Sequence, residues 1–191
     1  MTLFLALLVS FTIVYSSIGY FLLSKPPAQP FIGVGIYSQS GSLANYYSGN
    51  GPNVTAGQSL SWHFQLFNRM GSVQLVRIVY RLANVTMSSP TETTSSNASQ
   101  IGESSTFVTN EENETIPFEW TLVSRQQSGT LTYVTLQING QTITPPVGTR
   151  SGQEFRFIFE LWTLNDQSGA LEYSSPNGRV GTWLAVWFNT S

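Results

Sequence analysis

Cysteine is absent from this 191-residue chain, and that single absence closes several routes to function. There can be no disulfide, thiolate nucleophile, iron–sulfur cluster, cysteine-ligated zinc or blue-copper site. Charge is scarce as well. Charged residues make up 9% of the chain, against ~25% in typical soluble domains. One lysine (Lys25), one histidine (His63) and one aspartate (Asp166) are present. With a net charge of −2 and no basic cluster, nucleic-acid binding by phosphate neutralisation is disfavoured. Ser, Thr, Asn and Gln take the place of charge. That composition suits an acidic exterior, where carboxylates protonate and stop contributing charge-dependent stability.

What the chain does have is an apolar beginning. Residues 3–23 read LFLALLVSFTIVYSSIGYFLL, 21 positions without a charge. As a helix this stretch would be ~32 Å long, enough to cross the hydrocarbon core of a bilayer. Tyr15, Tyr20 and Phe21 lie where amphipathic rings favour the headgroup level. A cleaved signal peptide is the competing reading. A positive n-region is missing, the apolar run exceeds the usual ~7–15 residues, and Ser17-Ile18-Gly19 is a weak cleavage pattern. The expectation is therefore a transmembrane anchor over residues 1–24. A proline-rich spacer, KPPAQP, follows over 25–30 and favours an extended, semi-rigid conformation.

Residues 31–191 are the size of one ordinary domain. An aromatic content of 13% makes a sizeable core feasible. The segments alternate with period two and are bounded by Gly, Pro, Asn and Ser, the pattern of strands. FIGVGIY over 31–37 is the first. In residues 59–67, Leu60, Trp62, Phe64 and Leu66 share a face; in 73–82, Val76, Ile78, Tyr80 and Leu82 do so. These two are expected to form a hairpin across Asn68–Gly71. A polar, low-complexity loop is expected at 87–105. Residues 115–123 resume the alternation, with Pro117 marking an edge or bulge. Asn139-Gly140 predicts a type I′ hairpin turn. The strand over 155–164 carries Phe155, Phe157, Phe159 and Leu161 on one face. The last, over 180–188, sets Trp183 and Trp187 against Val180, Leu184, Val186 and Phe188. The fold expected is mainly β: a transmembrane helix followed by an antiparallel, immunoglobulin-like β-sandwich.

Five glycosylation sequons occur, at Asn53, Asn84, Asn97, Asn113 and Asn189. With 12 Asn and 45 Ser plus Thr in the chain, chance would supply roughly 2.8. All five follow the apolar run and fall mostly in expected loops or at strand ends, as sugar attachment requires of an exported domain. N-linked glycans would place the domain outside and the N-terminus inside.

The remaining candidates favour packing over chemistry. His63 alone cannot build a usual zinc site, and nothing fixes a triad partner beside it. Glu111, Glu112 and Glu114 lack the spacing of a calcium loop and read as a solvated turn, as does Asp166. Glu119, Glu154 and Glu160 are formally available for a two-carboxylate glycosidase, but Glu119 and Glu160 fall where strands place outward carboxylates anyway. Trp62, Trp120 and Trp162 sit at strand period, as core residues do. Trp183 and Trp187 are the candidate partner surface.

Three stretches carry a resemblance: NVTAGQSLSWHFQLFNRMGSVQLVRIVYRL, ETIPFEWTL and FRFIFELWTLNDQSGALEYSSPNGRVGTWLAVWFN. Over most of residues 31–190 the chain resembles archaeal single-span, exported proteins of unknown function whose ectodomain is a CARDB-like immunoglobulin sandwich. The resemblance implies fold and location, and no catalytic residues or cofactor. The expected function is a non-enzymatic structural or accessory subunit beside larger membrane or envelope proteins. Two alternatives stand: a surface filament or lattice built by β-strand exchange, with FIGVGIY as donor, and a small accessory subunit of a respiratory or oxidase complex.

Overall fold

The computed structural model describes residues 14–15, 30–47, 51–174 and 180–191. Apart from Val14 and Tyr15, which are helical, and Pro30, the expected anchor and spacer lie outside the described residues. No helix among the described residues is long and apolar enough to cross a membrane. The chain divides at Pro30 and Phe31 into two units, and the second, Phe31–Ser191, is a two-sheet β-sandwich.

Its strands are β1 (Phe31–Ser38), β2 (Asn53–Val54), β3 (Ser59–Arg69), β4 (Gln74–Ala83), β5 (Ser99–Val108), β6 (Asn113–Ser128), β7 (Leu131–Ile138), β8 (Gln141–Ile143), β9 (Gly148–Arg150), β10 (Phe155–Asn165), β11 (Ala170–Glu172) and β12 (Thr182–Thr190). One sheet runs β1-β3-β6-β7-β8, with β9 also on β7. The other runs β2-β12-β10-β4-β5, with β11 on β10. All pairings are antiparallel except the short β2–β12 contact. Setting aside the β7–β9 insert, β1, β3 and β6 form one sheet and β4, β5, β10 and β12 the other. That is how an immunoglobulin-like sandwich divides its strands.

Period-two alternation supplies the core. Leu60, Trp62, Phe64 and Leu66 of β3, Ile116, Phe118, Trp120 and Leu122 of β6, and Phe155, Phe157, Phe159 and Leu161 of β10 are all buried. The rings interlock across the gap between the sheets. Phe118 meets Phe159 at 5.1 Å and Tyr80 at 4.9 Å edge to face, and Trp120 meets Phe157 at 4.9 Å. The β7–β8 turn has positive φ at both Asn139 (46°) and Gly140 (83°), as a type I′ turn demands.

Two expectations are corrected. First, β3 and β4 are not a hairpin: β3 pairs with β1 and β6, whereas β4 pairs with β5 and β10. Residues 70–73 arch from one sheet to the other. Buried Asn68 holds the arch by donating to Ser72 O (2.8 Å) and Val108 O (2.7 Å) and accepting from Met70 N (2.9 Å). An Asn-x-x-Gly sequence fits either kind of turn, and these buried contacts select the arch. Second, the loop at 87–105 ends early. From Ser99 onward the polar residues form β5 against β4, with Ile101 and Val108 buried and their neighbours facing solvent on an edge strand.

Pro117 lies in the first half of β6, which β7 leaves uncovered. On one side Pro117 lies opposite His63 of β3, but β7 begins pairing only at Trp120. Both backbone polar groups of Glu119 point to that second side, where the Asn139 side-chain oxygen takes its N–H and the Asn139 N–H meets its carbonyl, each at 2.8 Å. Two residues away, Pro117 has the same parity. Its missing N–H therefore falls on the open edge, where an added strand would need a donor. Replacing Pro117 with Val is expected to strengthen self-association roughly fivefold, the worth of about one backbone hydrogen bond. Sedimentation velocity of residues 31–191 would check it.

Candidate functional site

The densest cluster of charge and hydrogen bonding lies on the outer face of the β10 sheet. With its Phe side chains turned inward, β10 presents Arg156, Ile158, Glu160 and Trp162 outward. Outward residues of a two-layer sandwich should meet water, yet Arg156 is only 6% exposed and Ile158 and Glu160 are 0% exposed. The connection between β4 and β5, residues 84–98, lies across them as a strap. Glu160 is the reason it does so.

One carboxylate oxygen of Glu160 accepts from Arg81 Nε (2.9 Å) and Trp162 Nε1 (3.3 Å), and the other accepts from the backbone N–H of Ser96 on the strap. Arg81 then donates from Nη1 to Ala98 O at 3.0 Å. Beneath, Ala83, Ala98 and Ile158 form a small apolar floor, against which Met87 and Trp183 pack. A second guanidinium secures the start of the strap: Arg156 donates to Ser89 Oγ (2.7 Å) and Met87 O (2.8 Å). Its Cζ lies 4.8 Å from the centre of the Trp187 ring, a cation–π contact. Desolvation lowers the Arg156 pKa from its ordinary value.

The strap's middle is tied to the segment after β11. Tyr173 donates its hydroxyl to Thr91 O (2.9 Å), Ser174 donates to Thr93 O (2.9 Å), and Gly181 N–H donates to Glu92 O (2.6 Å). Gly181 is needed there, because a Cβ would fall 2.2 Å from the Tyr173 ring. Burial, and secondarily the Glu160 carboxylate, push the Tyr173 hydroxyl up to about 12. Chemically the arrangement is a clamp. The Glu160 carboxylate is enclosed by donors from three elements, and its job is to hold the strap.

The other sequence candidates are dispersed. His63 stacks on Tyr37 (5.5 Å, 12°) on the outer face of the β3 sheet. Glu119, on that same face, lines a shallow groove of about 430 Å³ with Gln39, Ser61 and Gln137. Glu119 and Glu160 thus lie on opposite outer faces of the sandwich, and the expectation that Glu160 is an ordinary outward carboxylate is corrected by its burial. Glu111, Glu112, Glu114, Asp166 and Glu154 are exposed. Among the described residues no group of three His, Cys, Asp or Glu converges as metal ligands would. Trp62 and Trp120 are core, and Trp162 leans on Tyr173 at the clamp. Trp183 and Trp187 share the outer face: Trp183 is half-buried at the strap, whereas Trp187 is 42% exposed. Of the sequons, Asn53, Asn97 and Asn113 are exposed, and Asn84 and Asn189 are half-buried. Sequence reading missed Arg81, Arg156 and Ser96. A lone glutamate and arginine inside FRFIFELW were the available signal.

Neither a protein-family model nor a curated protein matches the chain. Among solved structures it is similar to the CARDB domain of a Pyrococcus furiosus protein in complex with di-metal ions, at 9% identity and a TM-score of 0.42, covering 88% of this chain and 96% of that one. A solution NMR structure of that domain gives 9% identity and a TM-score of 0.39 over 84% of this chain and 94% of that one. A β-glucosidase from Listeria innocua in complex with glucose gives 10% identity and 0.37 over 84% of this chain, which spans only 16% of the glucosidase. No chemistry passes to this chain from any of them.

Glu160→Ala leaves the half-buried Arg81 guanidinium and the Ser96 N–H without their partner and is expected to cost about 3 kcal/mol in urea unfolding of residues 31–191. Adding Arg81→Met should return most of that loss, because the unpaired charge goes with it. Alkali probes the strap's middle. A raised tyrosine pKa means the folded state holds its proton longer, so the Tyr173 contribution is complete below pH 10.0 and lost as pH climbs to about 12. Tyr46, Tyr47 and Tyr80 are also raised by burial, so phenolate absorbance should show several late tyrosines. Tyr173→Phe should remove one of them, with proteolytic cutting of the strap rising over the same range in the natural chain.

Proposed function

We propose that this chain is a non-enzymatic, membrane-tethered extracellular glycoprotein of the archaeal, CARDB-like kind that its sequence resembles, serving as a structural or accessory subunit of a larger envelope or membrane complex. The observation that carries this reading is the placement of β1. It begins one residue after the proline-rich spacer and pairs with β3 without interruption, from Phe31 opposite Arg69 to Ser38 opposite Trp62. A tether continuous with a strand paired along its whole length transmits load well. A pull along the strand axis bears on all of its perpendicular backbone hydrogen bonds together.

Two further features support the reading. The buried Glu160 and Arg156 and the half-buried Arg81 act as internal fasteners, and the outer face of the β3 sheet offers hydroxyl and amide groups suited to neutral recognition. Trp187, exposed beside Arg156 with its carbonyl accepting from Tyr47, is a rigid aromatic anchor of the sort that contributes strongly at interfaces. The strand-exchange alternative would require β1 to leave β3 and withdraw Ile32, Val34 and Ile36 from the core against which they pack.

The test is fractionation of the full chain. It should stay with membranes through a high-salt wash, leave them in mild detergent, and co-purify with larger partners identifiable by mass spectrometry. Trp187→Ala should weaken that capture. Release by salt alone, or a lone monomer with measurable turnover, would overturn the proposal.

A further inference from the structure

The five sequons are not equivalent once folded. Asn84 donates from Nδ2 to Gly148 O at 2.9 Å, while its Oδ1 accepts from Thr86 N (3.0 Å) and Thr86 Oγ1 (2.8 Å). The side chain thereby ties the end of β4 to β9, and its amide nitrogen is the atom a sugar would occupy. Asn189 is held in the same way. Its Nδ2 donates to Asn53 Oδ1 (3.2 Å) and its Oδ1 accepts from Glu154 N (2.8 Å), at the parallel register where Asn189 lies opposite Asn53.

The other three have free room. Asn53, Asn97 and Asn113 are exposed, and among the described residues none of their Nδ2 atoms donates a hydrogen bond. Asn53 takes part in the contact with Asn189 through its oxygen alone, so a sugar on its nitrogen leaves that contact intact. Asn97 stands out of the strap between buried Ser96 and buried Ala98, so its side chain is the one that faces water there. Asn113 begins β6 opposite Phe67, on the stretch whose other edge β7 leaves open.

We infer that Asn53, Asn97 and Asn113 are the N-glycan attachment sites of this chain, and that Asn84 and Asn189 are structural asparagines. The inference rests on the reading of the domain as exported. A glycan on Asn97 covers the strap, the longest irregular connection held mainly by side chains. One on Asn113 stands beside the sheet edge that Pro117 interrupts, adding bulk where an intruding strand would approach.

Site-resolved peptide mass spectrometry on the full-length chain, made in an N-glycosylating host and isolated from its membranes, tests this. Sugar is expected on Asn53, Asn97 and Asn113 and absent from Asn84 and Asn189. In companion variants, N53Q, N97Q and N113Q should each lose one glycan by intact mass, with Tm unchanged in N97Q and N113Q. N84Q should keep all of its sugar and melt at lower temperature, having lost the Gly148 bond. Should N84Q fail to fold, the peptide map of the natural chain still decides. Sugar on Asn84 or Asn189, or bare Asn97 and Asn113 beside another occupied site, would overturn the assignment while leaving an exported glycoprotein standing. A chain without sugar at any sequon would overturn both.

Discussion

Everything in the sandwich depends on the interlock of aromatic rings between its two sheets. No disulfide joins them, so the sheets are held by what their inner faces bury. Phe118 lies at the centre, touching Trp62 and Phe64 on its own sheet and Tyr80, Phe157 and Phe159 across the gap. Offset and edge-to-face pairs of this kind are worth about 0.5–1.5 kcal/mol each beyond the area they bury. The rings demand a fixed register of β3, β6 and β10, since a slip of one residue would turn every one of them to solvent.

A second, polar layer is built on that foundation. With the β10 phenylalanines turned inward, Arg156, Ile158 and Glu160 must point outward, and a bare ionic strand beside Ile158 would be half apolar and half charged. The strap settles this by covering the strand, donating the Ser96 N–H to Glu160 and accepting from the two terminal nitrogens of Arg156 at Ser89 Oγ and Met87 O. A buried ion pair is weak evidence of net stability, because desolvation offsets much of the attraction. Its value here is positional. Glu160 accepts from Ser96 and Arg81 in particular, so a polar loop that could lie in many ways is held in one. The same logic operates at the far end of the sheets, where Asn68 selects an arch over a hairpin.

These two layers were unequally visible in the sequence. Leu60-Trp62-Phe64-Leu66 and Phe155-Phe157-Phe159-Leu161 announce buried faces because alternation is a local property of a strand. Asn139-Gly140 announces its turn for the same reason: the positive φ values are demanded by adjacent residues alone. Ser96, Arg81 and Glu160 announce nothing, since the hydrogen bond from Ser96 to Glu160 joins residues 64 apart in the chain. The polarity of 99–105 suggested a loop because edge strands and loops share a composition. Only pairing with β4 separates them.

The amino-acid order by itself determined the β class, the single-domain size, the inward residues of each long strand and the absence of thiol chemistry, because composition and period-two patterning act within a few neighbouring residues. Tertiary structure alone decided which sheet each strand joins, that the polar excursion after β4 lies down as a strap, that Glu160 is a fastener, and which sequon asparagines are tied into the fold. Those outcomes depend on groups brought together from distant parts of the chain. Their energies exist only after the aromatic faces have met.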